Sequence, residues 1–242
     1  MMPRDKVSRV HEYVEVVYTE EHWRILEEKR AEARRIMEAL ASRGLSPIVH
    51  GSVARGDVKE ASDVDVVVPY PSPPYLIEIA LETAGYRPVK RLIVQATPNH
   101  TPKVYYMLDE EELRMVSFPL VKLKQREYEF YRFGGMLDLE QLGQGLRVPG
   151  VDKRLVLIEP TEKGHREAPV IGRESEVARI VGVSVETVME RVRVLTRRDR
   201  LGRTGVFVKY ELAPDESVGE AVRRLAAENK HFRRIVWEGG LL

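Results

Sequence analysis

Cysteine is absent from this 242-residue chain, so neither a disulfide nor a thiolate zinc site can contribute to it. Amide side chains are scarce: the asparagines are Asn99 and Asn229, and the glutamines are Gln95, Gln125, Gln141 and Gln144. Few thermolabile residues beside 32% charged ones form the pattern of a thermophile protein. A continuous apolar run of about 18 residues is also missing, so no membrane-spanning helix is expected. The opening MMPRDKVSRVHEYVEV lacks the apolar core of a secretory signal, and a cytoplasmic location is expected. Net charge is only +1, so any preference for polyanions has to come from local clustering. The six histidines, at 11, 22, 50, 100, 165 and 231, have no ligand-like spacing.

What is present reads as an α+β chain. Residues 19–44 have helical spacing in Trp23, Leu26, Ala33, Met37 and Leu40, with Thr19 placed to cap and Gly44 to stop the helix. Short strands are expected at 45–51 and 63–70, and a helix over 75–86. Strands follow at 89–96, 103–108 and 113–120, then a helix over 122–135 and a strand at 154–160. Turn formers in RVPGVDK and EPTEKGHREAP predict a linker at about 146–172, dividing a domain at 1–150 from one at 151–242. Beyond it, 174–202 reads as two helices around Gly182, with Ser184 capping the second and two apolar stripes facing each other. These stripes are Val177, Ile180 and Val181, and Val185, Val188, Met189, Val192 and Leu195. A strand over 204–212 and a last helix over 217–236 complete the expectation.

The chemistry concentrates in HGSVARGDVKEASDVDVVV, residues 50–68. Strand side chains alternate, so Asp63 and Asp65 share one face while Val64, Val66 and Val68 share the other. Carboxylates two residues apart on a strand are close enough to converge on one ion, and they repel unless a cation or proton sits between them. Hard oxygen ligands of this kind suit Mg2+ (or Mn2+), which also takes phosphate oxygens. Two such ions would clamp the entering and leaving oxygens of a phosphoryl transfer. Upstream, Gly51-Ser52 is suited to a tight turn that exposes backbone N–H groups, with Arg55 placed to reach a triphosphate or to pair with Asp57 or Glu60. A phosphate cradle and a carboxylate pair, separated by residues 53–62, make a nucleotide site.

This stretch resembles the DNA polymerase beta-like nucleotidyltransferase superfamily, on Gly51, Ser52, the spacer, and Asp63-Val64-Asp65 in an apolar strand. The resemblance implies a mixed sheet with flanking helices and Mg2+-dependent transfer of a nucleoside monophosphate from a nucleoside triphosphate to a hydroxyl. It also implies a third carboxylate on a later strand. LRMVSFPL, in that place, offers Arg114 and Ser117 but no acid, which leaves Asp109, Glu110, Glu111 and Glu112 nearby, with Glu112 favoured. The C-terminal part resembles a winged helix-turn-helix, the strand after Arg203 serving as wing. Residues 171–210 hold nine Lys/Arg against five acids, and Arg191, Arg197, Arg198 and Arg200 could follow the phosphates of DNA or RNA. The missing acid favours a second reading, a non-catalytic nucleotide sensor or nucleic-acid-binding regulator. A third is a small-molecule nucleotidyltransferase with a C-terminal lid. The aromatic run Tyr128, Phe130, Tyr131 and Phe133 is expected in the core rather than under a base.

Overall fold

The structure is a computed structural model and describes residues 7–8, 13–202 and 205–242. His11, Arg203 and Thr204, which the sequence reading used, lie outside the described residues. In chain order the elements begin with β1 (Val14–Val17), α1 (Glu20–Ala41), β2 (Ile48–His50), α2 (Ser52–Arg55) and β3 (Val64–Val67). Next come α3 (Pro74–Thr83), β4 (Lys90–Gln95), β5 (Lys103–Met107), β6 (Arg114–Pro119), α4 (Gln125–Phe133), β7 (Met136–Asp138) and α5 (Leu139–Gly143). The remainder is β8 (Gly150–Val151), β9 (Val156–Thr161), β10 (Gly164–Pro169), α6 (Glu174–Val181), α7 (Val185–Leu201), β11 (Val208–Glu211), α8 (Val218–Glu228) and α9 (Lys230–Glu238).

These elements form two compact units, each drawn from separated stretches of chain. The first takes the described residues of 1–32, 49–62 and 128–204; the second takes 33–48, 63–127 and 205–242. This division runs along a different line from the sequential one expected at 146–172.

The first unit contains an antiparallel sheet of order β1-β10-β9-β8. The expected linker is therefore strand for much of its length. Its residues have poor strand propensity, but β10 lies between β1 and β9, where pairing on both edges outweighs local preference. Gly164 makes the close approach possible: a Cβ there would meet the Val16 carbonyl oxygen at 1.9 Å. On this sheet pack α6 and α7, whose Val177, Val181 and Val188 join Leu155, Leu157, Ala168 and Val170 in one buried cluster. The two expected stripes thus face a sheet as well as each other, whereas Met189 is 53% exposed. In the same unit β2 and β7 are neighbouring strands.

The second unit has the sheet order β11-β4-β5-β6-β3, antiparallel throughout except for the parallel pair β3 and β6. That mixed sheet fits a nucleotidyltransferase-type fold. One face carries Val64, Val66, Val116, Phe118, Val104, Tyr106 and Ile93, all buried. The Tyr106 hydroxyl donates to Glu78 of α3 at 2.7 Å, tying that helix to the sheet. The strand expected as a wing is instead β11, paired antiparallel with β4 through Val208↔Gln95 to Glu211↔Leu92. The expected last helix is two, because Asn229 leaves helical geometry and its side chain accepts from His231 N at 3.0 Å and Phe232 N at 3.1 Å. An asparagine in that position starts a new helix rather than extending the old one.

Candidate functional site

The Gly-Ser turn belongs to the first unit. Gly51 has φ +84 and ψ −147, a backbone region that side chains disfavour, and no atom lies within 4 Å of where its Cβ would stand. Its N–H donates to the Gly135 carbonyl at 2.9 Å, and its own carbonyl accepts from Ala54 and Arg55, starting the single turn α2. The far side of that turn is held by side chains. Arg30 of α1 donates to the Val53 carbonyl at 3.2 Å and also to the Ala54 and Leu146 carbonyls, and His22 Nε2 donates to the Gly56 carbonyl at 2.8 Å. Burial, reinforced by the charge of Arg147, lowers the Arg30 pKa to about 10, and the hydrogen bonds of this guanidinium go to carbonyls.

Arg55 is only 5% exposed. Its Nε and Nη2 each meet an Asp57 oxygen at 2.9 Å, and Nη1 donates to the Gly134 carbonyl at 2.6 Å. A Cβ on Gly135 would strike Arg55 Cγ at 2.7 Å. Every nitrogen of Arg55 is thus occupied in holding the turn, and of the alternatives open in the sequence the Asp57 pair is the one formed. His50, one residue before the turn, meets Tyr131 edge-on at 5.1 Å and Phe130 at 5.9 Å.

The aspartates belong to the second unit, linked to the turn through residues 53–62. Asp65 stands opposite Met115 of β6 and Val67 opposite Ser117, while Ser117 stands opposite Tyr105 of β5. Alternation places Asp65, Met115, Ser117, Tyr105 and Lys103 on one face, with Asp63 in phase with Asp65. Burial pushes the Tyr105 hydroxyl up to about 12, and the negative charge of Asp65 adds to that rise. Asp63, Asp65, Ser117 and Tyr105 offer oxygen donors, which suit Mg2+ with waters and phosphate oxygens completing its shell. Among the described residues no group of three or more acidic or histidine side chains is arranged to hold a metal.

Ser117, 5% exposed, occupies the strand position where the resemblance implies an acid. Glu112 has φ +56 and pairs with Lys90 Nζ at 2.8 Å. Lys90 is on β4, which lies beyond β5 on the side of β6 opposite β3, so this carboxylate is drawn away from Asp63 and Asp65. Asp109 is a turn builder: it accepts from Leu113 N at 2.8 Å and Arg114 Nε at 2.7 Å. Although burial works against ionisation there, those bonds hold its pKa below the ordinary carboxylate value.

Of the α7 arginines, the four expected to meet nucleic acid separate into two kinds. Arg197, Arg198 and Arg200 are exposed on its last turns. Arg191 instead lies over Phe130, its Cζ 5.0 Å from the ring centroid. The start of α7 is clamped by Glu129, which accepts from Ser184 N at 3.1 Å, Ser184 Oγ at 2.5 Å and Thr187 Oγ1 at 2.5 Å. Sequence reading missed Arg30, His22 and Glu129, because their partners are distant in the chain. Tyr105 left a legible trace, lying in phase with the strand but separated from Asp65 by forty residues.

No curated protein and no solved structure shows significant similarity to the chain. No described helix is long and apolar enough to cross a membrane. Residues 30–136, which contain Gly51, Ser52, Asp63 and Asp65, match the family model of the nucleotidyltransferase domain, and that match supports the nucleotidyltransferase superfamily for this segment and nucleotidyl transfer as its general chemistry.

Proposed function

We propose that the protein is a Mg2+-dependent nucleotidyltransferase that moves a nucleoside monophosphate from a nucleoside triphosphate to a hydroxyl acceptor, a nucleic acid being the acceptor class its arginines suit. The observation that carries this reading is the pair of Asp63, immediately before β3, and Asp65 on it, inside the segment that matches the nucleotidyltransferase domain. In the proposed roles, Gly51 and Ser52 hold the β- and γ-phosphates, and Asp63 and Asp65 are the residues that would hold Mg2+. The ion would supply charge neutralisation along the phosphates and activation of the attacking oxygen. The acceptor oxygen forms a bond to the α-phosphorus, its proton is released, and the bond from that phosphorus to the bridging oxygen breaks, so pyrophosphate leaves. Arg30, Arg55, Asp57 and His22 act behind the turn as positioning residues.

Ser117 favours a second reading, a nucleotide-binding regulator without transfer, because β6 brings no acid to the face of Asp65. One set of titrations separates the two. Each nucleoside triphosphate is titrated with Mg2+ against the unsubstituted protein and against Asp63→Ala/Asp65→Ala, following thermal midpoint and pyrophosphate release. The expected result is a Mg2+-dependent rise in midpoint and slow pyrophosphate release with added acceptor, both lost in the double variant. Binding without release supports the regulator, and nucleotide binding indifferent to the double substitution overturns the metal role.

A further inference from the structure

The helix that the sequence presents as a nucleic-acid reader sends one arginine somewhere else. Arg191 lies one turn beyond Thr187, whose hydroxyl is bonded to Glu129, and so on the side of α7 that faces α4. Its guanidinium sits 5.0 Å from the Phe130 centroid, and Phe130 in turn lies 5.9 Å from the His50 ring. Arg191 is thereby within about 11 Å of His50, the residue preceding the Gly51 turn. Behind the turn the backbone is closed, since His50 Nδ1 lies 3.6 Å from where a Cβ of Gly134 would stand and Gly51 N is bonded to Gly135. In front of Gly51 there is open space.

The charge around Arg191 points to an anion. Its Nε is buried and makes no hydrogen bond. Burial is the largest influence on its pKa, which falls to about 10, and the next is repulsion from Arg198, ahead of the attraction of Glu190. Glu129, the buried carboxylate of α4, accepts from Ser184 and Thr187. A desolvated cation whose strongest charged neighbour is another cation is stabilised by an incoming oxyanion, and a planar guanidinium suits a phosphate in particular.

We infer that Arg191 is a phosphate-binding residue of the nucleotide site, reaching from α7 past Phe130 toward a nucleoside triphosphate held on the Gly51-Ser52 turn. The inference rests on the function proposed above and adds to it a residue from outside the segment that matches the nucleotidyltransferase domain. It also removes Arg191 from the set available to a nucleic-acid backbone, leaving Arg197, Arg198 and Arg200.

The test uses the full chain with ATP and Mg2+ in a calorimetric titration, and a parallel titration with duplex DNA. Arg191→Met keeps an apolar stem over Phe130 and removes the charge, so its thermal midpoint is expected to hold or rise while ATP affinity falls at least tenfold. Arg191→Lys, which restores charge without the planar fork, is expected to recover part of that loss. ATP affinity within twofold of the unsubstituted protein in Arg191→Met overturns the inference while leaving the proposed function standing. So does a loss confined to DNA binding. If Arg191→Met lowers the midpoint markedly, the Arg191→Lys comparison alone decides. Failure of the unsubstituted protein to bind any nucleoside triphosphate overturns the inference together with the function on which it rests.

Discussion

At the scale of single residues, the Gly51 turn depends on charges that are nearly dry. Arg55 and Asp57 form a two-bond pair with side chains only 6% and 14% exposed. Such a pair adds little net stability over an apolar substitute, yet removing one partner strands the other charge in a poor solvent. Asp57→Asn is therefore expected to cost about 3 kcal/mol, read as a lowered urea midpoint, and to weaken nucleotide binding with it. An unchanged midpoint would mean that Gly134 and the local backbone suffice to hold Arg55. The same residue shows how far sequence could go. Asp57 was one of two acids within reach of Arg55, and spacing alone could not separate pairing from phosphate binding. Burial separates them, because an arginine that is 5% exposed and bonded through all three nitrogens to Asp57 and Gly134 is turned into the protein.

At the scale of elements, α7 owes its placement to its first turn. Ser184 caps it, as spacing predicts, but the cap is itself bonded to Glu129 of α4. A carboxylate at a helix N-terminus gains from the exposed N–H groups and the helix dipole. Glu129→Gln keeps the shape and removes the charge, so a loss of about 1–2 kcal/mol is expected from weakened charge-assisted bonds. Urea unfolding followed by fluorescence measures it, and equal midpoints would show that the apolar packing of Val177, Val181 and Val188 sets the helix by itself. Strand patterns in the second unit were legible to within a residue or two, since 90–95, 103–107 and 114–119 alternate as half-buried strands should. The strands β8 and β10 were not legible. Their residues are turn formers and charges, and only their neighbours make them strands.

At the scale of the whole molecule, a net charge of +1 means that the proposed nucleic-acid contact has to rest on local clusters such as the exposed Arg197, Arg198 and Arg200. Binding of duplex DNA or structured RNA to the full chain is expected to weaken with salt. Replacing the three arginines by glutamine should reduce the slope of log affinity against log salt by about 2–3. Binding without salt dependence, or no binding at all, would remove nucleic acid as the acceptor class. The full chain is the right object for this measurement: residues 171–242 contribute to both units, and β11 needs β4 as its partner. A fragment cut at 171 would carry a strand with no sheet to join.

Sequence by itself determined the chemistry on offer. The alternation of Asp63 and Asp65 with valines, the glycine at 51 and the absence of an acid on residues 113–120 are all written in one dimension, because strand periodicity and turn chemistry are local. Tertiary structure decided where the side chains are spent. It turned Glu112 toward Lys90, closed Arg55 on Asp57 and Gly134, gave the expected wing to β4, and laid Arg191 over Phe130. Each of these depends on partners tens of residues away, or on the cost of leaving a charge without water, and neither is visible until the chain has folded.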